Sequence, residues 1–327
     1  ERQLEVMIKS CENSCLLAPA AANTHRLLYL MPQKVSKDMK LSVLKSWQSA
    51  SSDETVGFVC EWVNELFSYS MCEALVQGNT SLQTATRFAD TMRSILSVRR
   101  KSEASGRSSC FLSPPAPAVR LLDPSSVVTI QAIPKSMSDK NVCVVAYYQM
   151  GKVEPRNLAV LNIIRQIMEE PLFDNLRTKQ QLGYSVSCDI CDTYGVLGFT
   201  IEVVSSSHSL SAVRSAIAQF AEVTFPTILR GQTTEQYASH IDAVLTSLKT
   251  PSLSLNESTR LNWSEITDRR YWFSSRRDRI GILLSISHAE VFEFYSKFML
   301  GEPKETSHRS LLVIESQRHD TVGLKIA

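Results

Sequence analysis

Apolar positions recur with a helical period through the first hundred residues. Leu4, Met7 and Ile8 begin a stripe that returns at Leu27, Leu28 and Leu30, with a break expected between Cys11 and Ala22 and a stop at Pro32. Ser36-Lys-Asp-Met39 opens a second helix, with Met39, Val43, Leu44 and Trp47 on one face. Ser52-Asp-Glu-Thr55 is a start signal for a third, carrying Val56, Val59, Cys60, Val63, Leu66 and Phe67. Ser70 to Val76 reads as a strand turned by Gly78-Asn79. Thr80 or Ser81 then caps a helix to about Val98, with Leu82, Ala85, Phe88, Ala89, Met92, Ile95 and Leu96 inward. One strand among four helices is too little sheet for a self-contained domain, so its partner strands are expected from elsewhere.

Residues 99–118 change character. Arg99-Arg100-Lys101 is followed by a Ser-rich run and Ser113-Pro-Pro-Ala-Pro117, a composition that resists burial and marks a linker. Strands are expected at 126–133, 141–149, 184–189, 196–204 and 311–314. Helices are expected at 155–168 and at about 208–230, 233–249, 254–267, 272–284 and 287–299. Strands interspersed with helices in this order predict an α+β fold, a sheet covered by helices. Residues 1–115 read as the back half of one domain plus a linker, and 116–327 as a second, nearly complete domain. Glu1 to Lys9 reads as mid-helix sequence, so the chain is expected to begin inside a domain.

The most specific stretch is Glu169 to Tyr184, EEPLFDNLRTKQQLGY. Pro155 suits a first helical position, and Leu158, Leu161, Ile164, Ile167 and Met168 share a face. Pro171 is expected to interrupt that helix and open a shorter one. There Leu172, Phe173 and Leu176 would face inward, while Asp174, Arg177 and Lys179 stay outside or at the edge. Gly183 is expected to end the turn, and Tyr184 to Cys188 alternates like a strand. Arg177 and Tyr184 are the candidate site residues, because a guanidinium fork and a phenol at such a junction can both donate to an extended peptide backbone. Spacing alone favours the plainer reading, with Arg177 capping its helix and Tyr184 filling an edge of the core.

Composition narrows the function classes. A net charge of +2 gives no whole-chain pull toward nucleic acid or anionic membrane, and no apolar run reaches the roughly 18 residues that span a bilayer. Eight cysteines scattered through apolar surroundings fit a reduced, cytoplasmic protein. Cys188-Asp-Ile-Cys191 supplies two thiolates where a structural zinc needs four ligands, and it follows a strand instead of opening a helix. His240-Ile-Asp242 and His288-Ala-Glu290 hold their acid at i+2, on the wrong side of a helix for shared ligation. None of the six histidines stands three residues before a Glu-His pair. No metal ligand and no catalytic residue is therefore expected in this chain. Arg269-Arg270 and Arg276-Arg277, flanking Tyr271-Trp-Phe273, read as a solvated helical face or as an electropositive wall.

The run Met168 to Val186, with Leu-Arg-Thr-Lys-x-x-Leu-Gly-Tyr at its centre, resembles the C-terminal half of the M16 metallopeptidases, the inverted zincins, and within them the nardilysin-like group. Tyr147-Tyr-Gln149, Gly195 to Phe199, Ala74 to Asn79, Asn262 to Glu265 and Tyr271-Trp-Phe273 extend the likeness over nearly the whole chain. The resemblance implies an antiparallel sheet covered by helices, a truncated third domain over 1–115 and a fourth domain over 116–327. It implies a zinc endopeptidase whose zinc is held by His-x-x-Glu-His in an N-terminal half, with this half forming the chamber wall. Peptide substrates, paired basic cleavage sites and an N-terminal M16 partner follow from the same likeness. So does substrate contact by Arg177 and Tyr184, with Lys179, Gln180 and Gln181 as weaker candidates. A zinc-free member that only binds peptides or a partner is the alternative.

Overall fold

A computed structural model describes residues 2–12, 17–69, 72–101, 117–136, 138–304 and 308–317. Helices α1 (Arg2–Glu12), α2 (Ala18–Leu30), α3 (Lys37–Ser49), α4 (Ser52–Tyr69) and α5 (Leu82–Lys101) come first. Strands β1 (Val127–Ala132) and β2 (Val142–Lys152) precede α6 (Pro155–Leu172), and β3 (Ser185–Thr193) and β4 (Val196–Ser205) follow it. Then come α7 (Leu210–Gln219), α8 (Phe225–Arg230), α9 (Thr234–Lys249), α10 (Leu255–Thr267), α11 (Ser275–Leu283), α12 (His288–Tyr295) and β5 (Ser310–Ser316). The chain forms two compact units that interleave in sequence. One comprises Glu1–Asn13, Val35–Pro117 and Ser252–Tyr271, the other Ser14–Lys34, Ala118–Pro251 and Trp272–Ala327. The expected linker falls mostly on 102–116, outside the described residues.

The second unit is built on a five-stranded sheet of order β1-β5-β2-β4-β3. All neighbours are antiparallel except β1 and β5, which run parallel, so the expected antiparallel sheet is a mixed one. β2 lies at its centre, and Val142 to Met150 is buried throughout. Alternation assigns its residues to two cores. Val144, Ala146, Tyr148 and Met150 face α6 and α7, with α8, α9, α11 and α12 packed behind. Cys143, Val145 and Tyr147 face α2, whose Ala18, Ala21 and Ala22 let it lie close to the strands. On the helical side Tyr295 is fully buried and donates its hydroxyl to Ala221 O at 2.6 Å. Side-chain caps start α7, α9 and α12, from Ser209, Thr233 and Ser287.

The first unit contains α1, α3, α4, α5 and α10. Ser36 caps α3 and Ser81 caps α5, while Ser51, one residue before the expected start, exchanges bonds with Glu54 at the head of α4. Two expectations fail here. Residues 72–77 carry no strand; Gln77 instead donates to Ser258 Oγ at 2.6 Å and accepts from Asn262 Nδ2 at 2.9 Å, both on α10. The apolar stripes of α3, α4 and α5 are also not interior. Met39, Val43, Val56, Val59, Leu66, Phe88 and Ile95 are exposed, because no described residue covers them. The helices are where periodicity puts them, but periodicity does not supply the surface that would bury them.

The two cysteines of the CxxC pair both lie inside β3, three residues apart, and therefore on opposite faces of the sheet. Cys188 is buried in the helical core, and Cys191 packs against the α2 side. Burial pushes the Cys188 thiol up to about 12 and the Cys143 thiol higher still, while Cys60 and Cys72 are exposed. Because only thiolate reacts, iodoacetamide at pH 8 should alkylate Cys60 and Cys72 in the native chain and spare Cys143 and Cys188 until denaturant is added. Mass-spectrometric mapping of the labelled cysteines checks this.

A second expected outcome concerns Gly183. A Cβ there would lie 2.0 Å from Val204 O and 2.8 Å from Val204 C, both backbone atoms of the neighbouring strand. Gly183→Ala should lower stability by about 2–3 kcal/mol, read from the urea midpoint at unchanged slope.

Candidate functional site

The site begins with the end of α6. Its apolar residues Leu161, Ile164, Ile167, Met168 and Leu172 fix it on the sheet, and Leu158 is half-buried at its start. Pro171 does not break it. The helix runs on to Leu172, and the Phe173 N–H is shared between the carbonyls of Glu169 and Glu170. From there Phe173–Lys179 forms a π-helical segment, a wider turn that begins two residues after the proline. The segment closes with Gln180 N–H on Asn175 O at 3.1 Å and Leu182 N–H on Leu176 O at 2.9 Å. Gln181 turns the chain, adopting the left-handed conformation at φ 52°. Gly183, expected to play that part, instead gives the clearance that lets the chain pass Val204 into β3.

Leu172 and Leu176 are buried as expected, but Phe173 is 42% exposed. The Arg177 guanidinium carbon lies 4.7 Å from the centroid of the Phe173 ring, a cation–π contact at i,i+4 spacing. Arg177 is itself exposed. On the next turn back, Lys179 pairs with Asp174 at 2.7 Å. Phe173, which pattern reading assigned to the core, is thus a neighbour of the candidate Arg177; the Phe-x-x-x-Arg spacing was the signal that could have found it.

Tyr184 stands at the mouth of β3 and is 55% exposed, so it does not fill the core. Its phenol is held above the usual range, chiefly by partial burial and then by the nearby Asp139, Cys143 and Glu202 groups. It remains a protonated donor at neutral pH. Asp139 is anchored by the Ala18 N–H at 2.6 Å and by Asn141, and Glu202 accepts from Asn23 Nδ2 at 2.8 Å. Arg177 and Tyr184 therefore end up on consecutive surface elements with different neighbours. Among the described residues no hydrogen bond joins them.

Between the end of α6 and β3 lies an open cavity of about 760 Å³. Its lining includes Arg165, Glu169, Glu170, Phe173, Asp189 and His240. Arg165 donates to Cys188 O at 3.3 Å and lies 3.6 Å from Glu169 and 3.8 Å from Asp189. Burial lowers the His240 pKa from its ordinary value, against an upward pull from Glu170, so the imidazole is neutral at pH 7. The i+2 acid spacing had only set His240 aside as a metal ligand; its seat in this wall had no signal in the sequence.

Zinc, which the resemblance brings with it, does not fit these residues. Among the described residues no group of three or more His, Cys, Asp and Glu side chains is placed to hold a metal ion. His288 Nε2 lies 2.6 Å from Leu229 O, and His25 Nδ1 lies 2.9 Å from Ala21 O. The paired arginines are also held locally: Arg270 by Glu265 at 2.9 Å, Arg276 by Thr250 O at 2.8 Å. Among the described residues no helix is long and apolar enough to cross a membrane.

Comparison with known proteins agrees with this architecture. Residues 163–263 match the family described as PQQ synthase PqqF-like, C-terminal lobe domain 4. A nardilysin-like protein of Arabidopsis thaliana is 30% identical over 86% of this chain and 26% of its own length. Human nardilysin is 25% identical over 83% of this chain and 24% of its own length. The chain spans about a quarter of these relatives. The crystal structure of pitrilysin shares the fold with a TM-score of 0.72 at 19% identity, over 100% of this chain and 32% of that one. An M16 inactive domain from Pseudomonas fluorescens aligns with a TM-score of 0.56 at 13% identity, over 99% of this chain and 70% of that one. The chain belongs to the M16 metallopeptidase family, corresponds to its C-terminal half, and is most like the nardilysins.

Proposed function

We propose that this chain is the half of a nardilysin-like zinc endopeptidase that holds the peptide while a separate N-terminal half holds the zinc. In this reading residues 1–115 are the rear of a third domain and 116–327 the fourth, and together they form a wall of the substrate chamber. By itself the chain is catalytically incomplete. Its work is to bind and orient peptides, with cleavage at paired basic residues in the assembled enzyme, and its free buried thiols suit a reducing cytoplasmic setting.

The observation that carries the reading is the presentation of Arg177 and Tyr184. Neither is consumed by the fold: Arg177 lies on the exposed ring of Phe173, and Tyr184 is more than half exposed. A guanidinium supported from beneath loses little freedom on meeting a carbonyl. A neutral phenol on a rigid ring can donate a second bond to the same extended backbone. Such donors orient a scissile amide and stabilise charge that develops on its oxygen.

The test is hydrolysis of a fluorogenic peptide with a paired basic site, by the chain alone and after mixing with an M16 N-terminal half. Activity should appear only on mixing and vanish with chelator. Arg177→Ala should lower kcat/KM of the mixture by about 10²-fold, and Tyr184→Phe by about ten-fold, with the thermal midpoint unchanged. Activity of the chain alone would refute the reading. Peptide binding without hydrolysis on mixing would favour a second one, a zinc-free subunit that binds peptides without cutting them.

A further inference from the structure

We infer that Phe173 is a positioning residue for Arg177: its ring sets the direction in which the guanidinium meets the peptide and leaves the N–H donors free to bind it. This rests on Arg177 being a peptide contact, and it adds the residue on which that contact depends.

The Arg177 guanidinium is oriented by a ring and by no acceptor. Its carbon lies 4.7 Å from the centroid of Phe173, and among the described residues no hydrogen bond or ion pair reaches it. The side-chain acceptors of the same segment are occupied by other groups. Asp174 pairs with Lys179 at 2.7 Å, and Asn175 Oδ1 accepts from Gln180 Nε2 at 2.7 Å. A carboxylate under Arg177 would bind two of its N–H groups in a fork. A ring face attracts the same charge through its quadrupole and binds none of them. Of the ways to orient an arginine, this one leaves its full set of donors for an incoming carbonyl.

The ring is itself held. Leu172 before Phe173 and Leu176 after it are both buried, and the Phe173 N–H is shared by the carbonyls of Glu169 and Glu170. The backbone of Phe173 is thus fixed on the core while 42% of the residue faces solvent. Packing gives no reason for an aromatic side chain there, because a ring left in water gains little from burial. A cation stacked on it supplies that reason. A phenyl ring also has fewer torsions than an arginine stem, so the stack restrains the more flexible side chain with the stiffer one. Without the ring, Arg177 would lose more freedom on meeting the peptide.

The experiment is a double-mutant cycle on kcat/KM, in the mixture of this chain with an M16 N-terminal half and the fluorogenic peptide. Phe173→Leu should lower kcat/KM about three-fold at unchanged thermal midpoint, and Phe173→Trp should keep it. A trifluorinated phenylalanine in place of Phe173 keeps the shape of the ring and weakens its quadrupole, so it should behave like Phe173→Leu. In the Arg177→Ala background Phe173→Leu should change nothing further. A loss from Phe173→Leu that persists there would overturn the positioning role and make Phe173 a peptide contact in its own right. Full activity of Phe173→Leu beside an impaired Arg177→Ala would also overturn it and leave the peptide site standing. Full activity of Arg177→Ala would overturn the peptide site and the role that rests on it. The chain alone gives a second readout. The δ-methylene protons of Arg177 should resonate upfield under the ring current and return in Phe173→Leu; no difference between the two chains would overturn the stack.

Discussion

Gly183 passes so near the backbone of Val204 that any side chain there would enter the carbonyl oxygen, at 2.0 Å for a Cβ. This clearance decides where β3 meets β4, with Ser185 opposite Val204. It thereby decides where Tyr184 emerges and how the π segment before it must end. The other contacts of the site are soft by comparison. A cation–π stack and half-exposed ion pairs each contribute about 1 kcal/mol or less, whereas a backbone collision cannot be accommodated without moving a strand. The precision of the site therefore comes from main chain against main chain, with side chains hung on a junction already fixed.

Much of this was legible in the chain. Helix starts could be read at Ser36 and at Thr80 or Ser81, of which Ser81 is the cap, because an N-cap is a local bond between neighbours in sequence. Strands β2 and β4 could be read because burial on both faces demands an unbroken apolar run. Arg177 and Tyr184 became candidates only through a resemblance, and both are exposed at the surface, so Tyr184 does not fill the core.

The failures share one cause, dependence on something distant. Pro171 was read as a break because its local rule is a lost N–H and a clash, yet packing of Leu172 and Leu176 carries the helix through as a wider turn. Phe173 was read with the apolar stripe, but at i+4 from Glu169 and i+3 from Glu170 it continues the exposed face of α6. Gly183 was assigned a turn because glycine usually makes one; the need came from Val204 on another strand. In the first unit the stripes of α3 to α5 were found correctly, but the surfaces to cover them are not among the described residues.

The π segment has a consequence for how this junction tolerates insertions and deletions. An α-helix advances about 100° per residue, so a loss of one residue between Pro171 and Arg177 could be absorbed by converting the π segment into ordinary helix. The chain would still reach β3, and Leu176 could still find the core. The guanidinium, however, would lose its seat on Phe173, because the two would no longer keep their present angular relation. Such a chain could fold and remain stable while its recognition face pointed elsewhere. In this junction chain length bears on the geometry of presentation more than on whether the chain can close into β3.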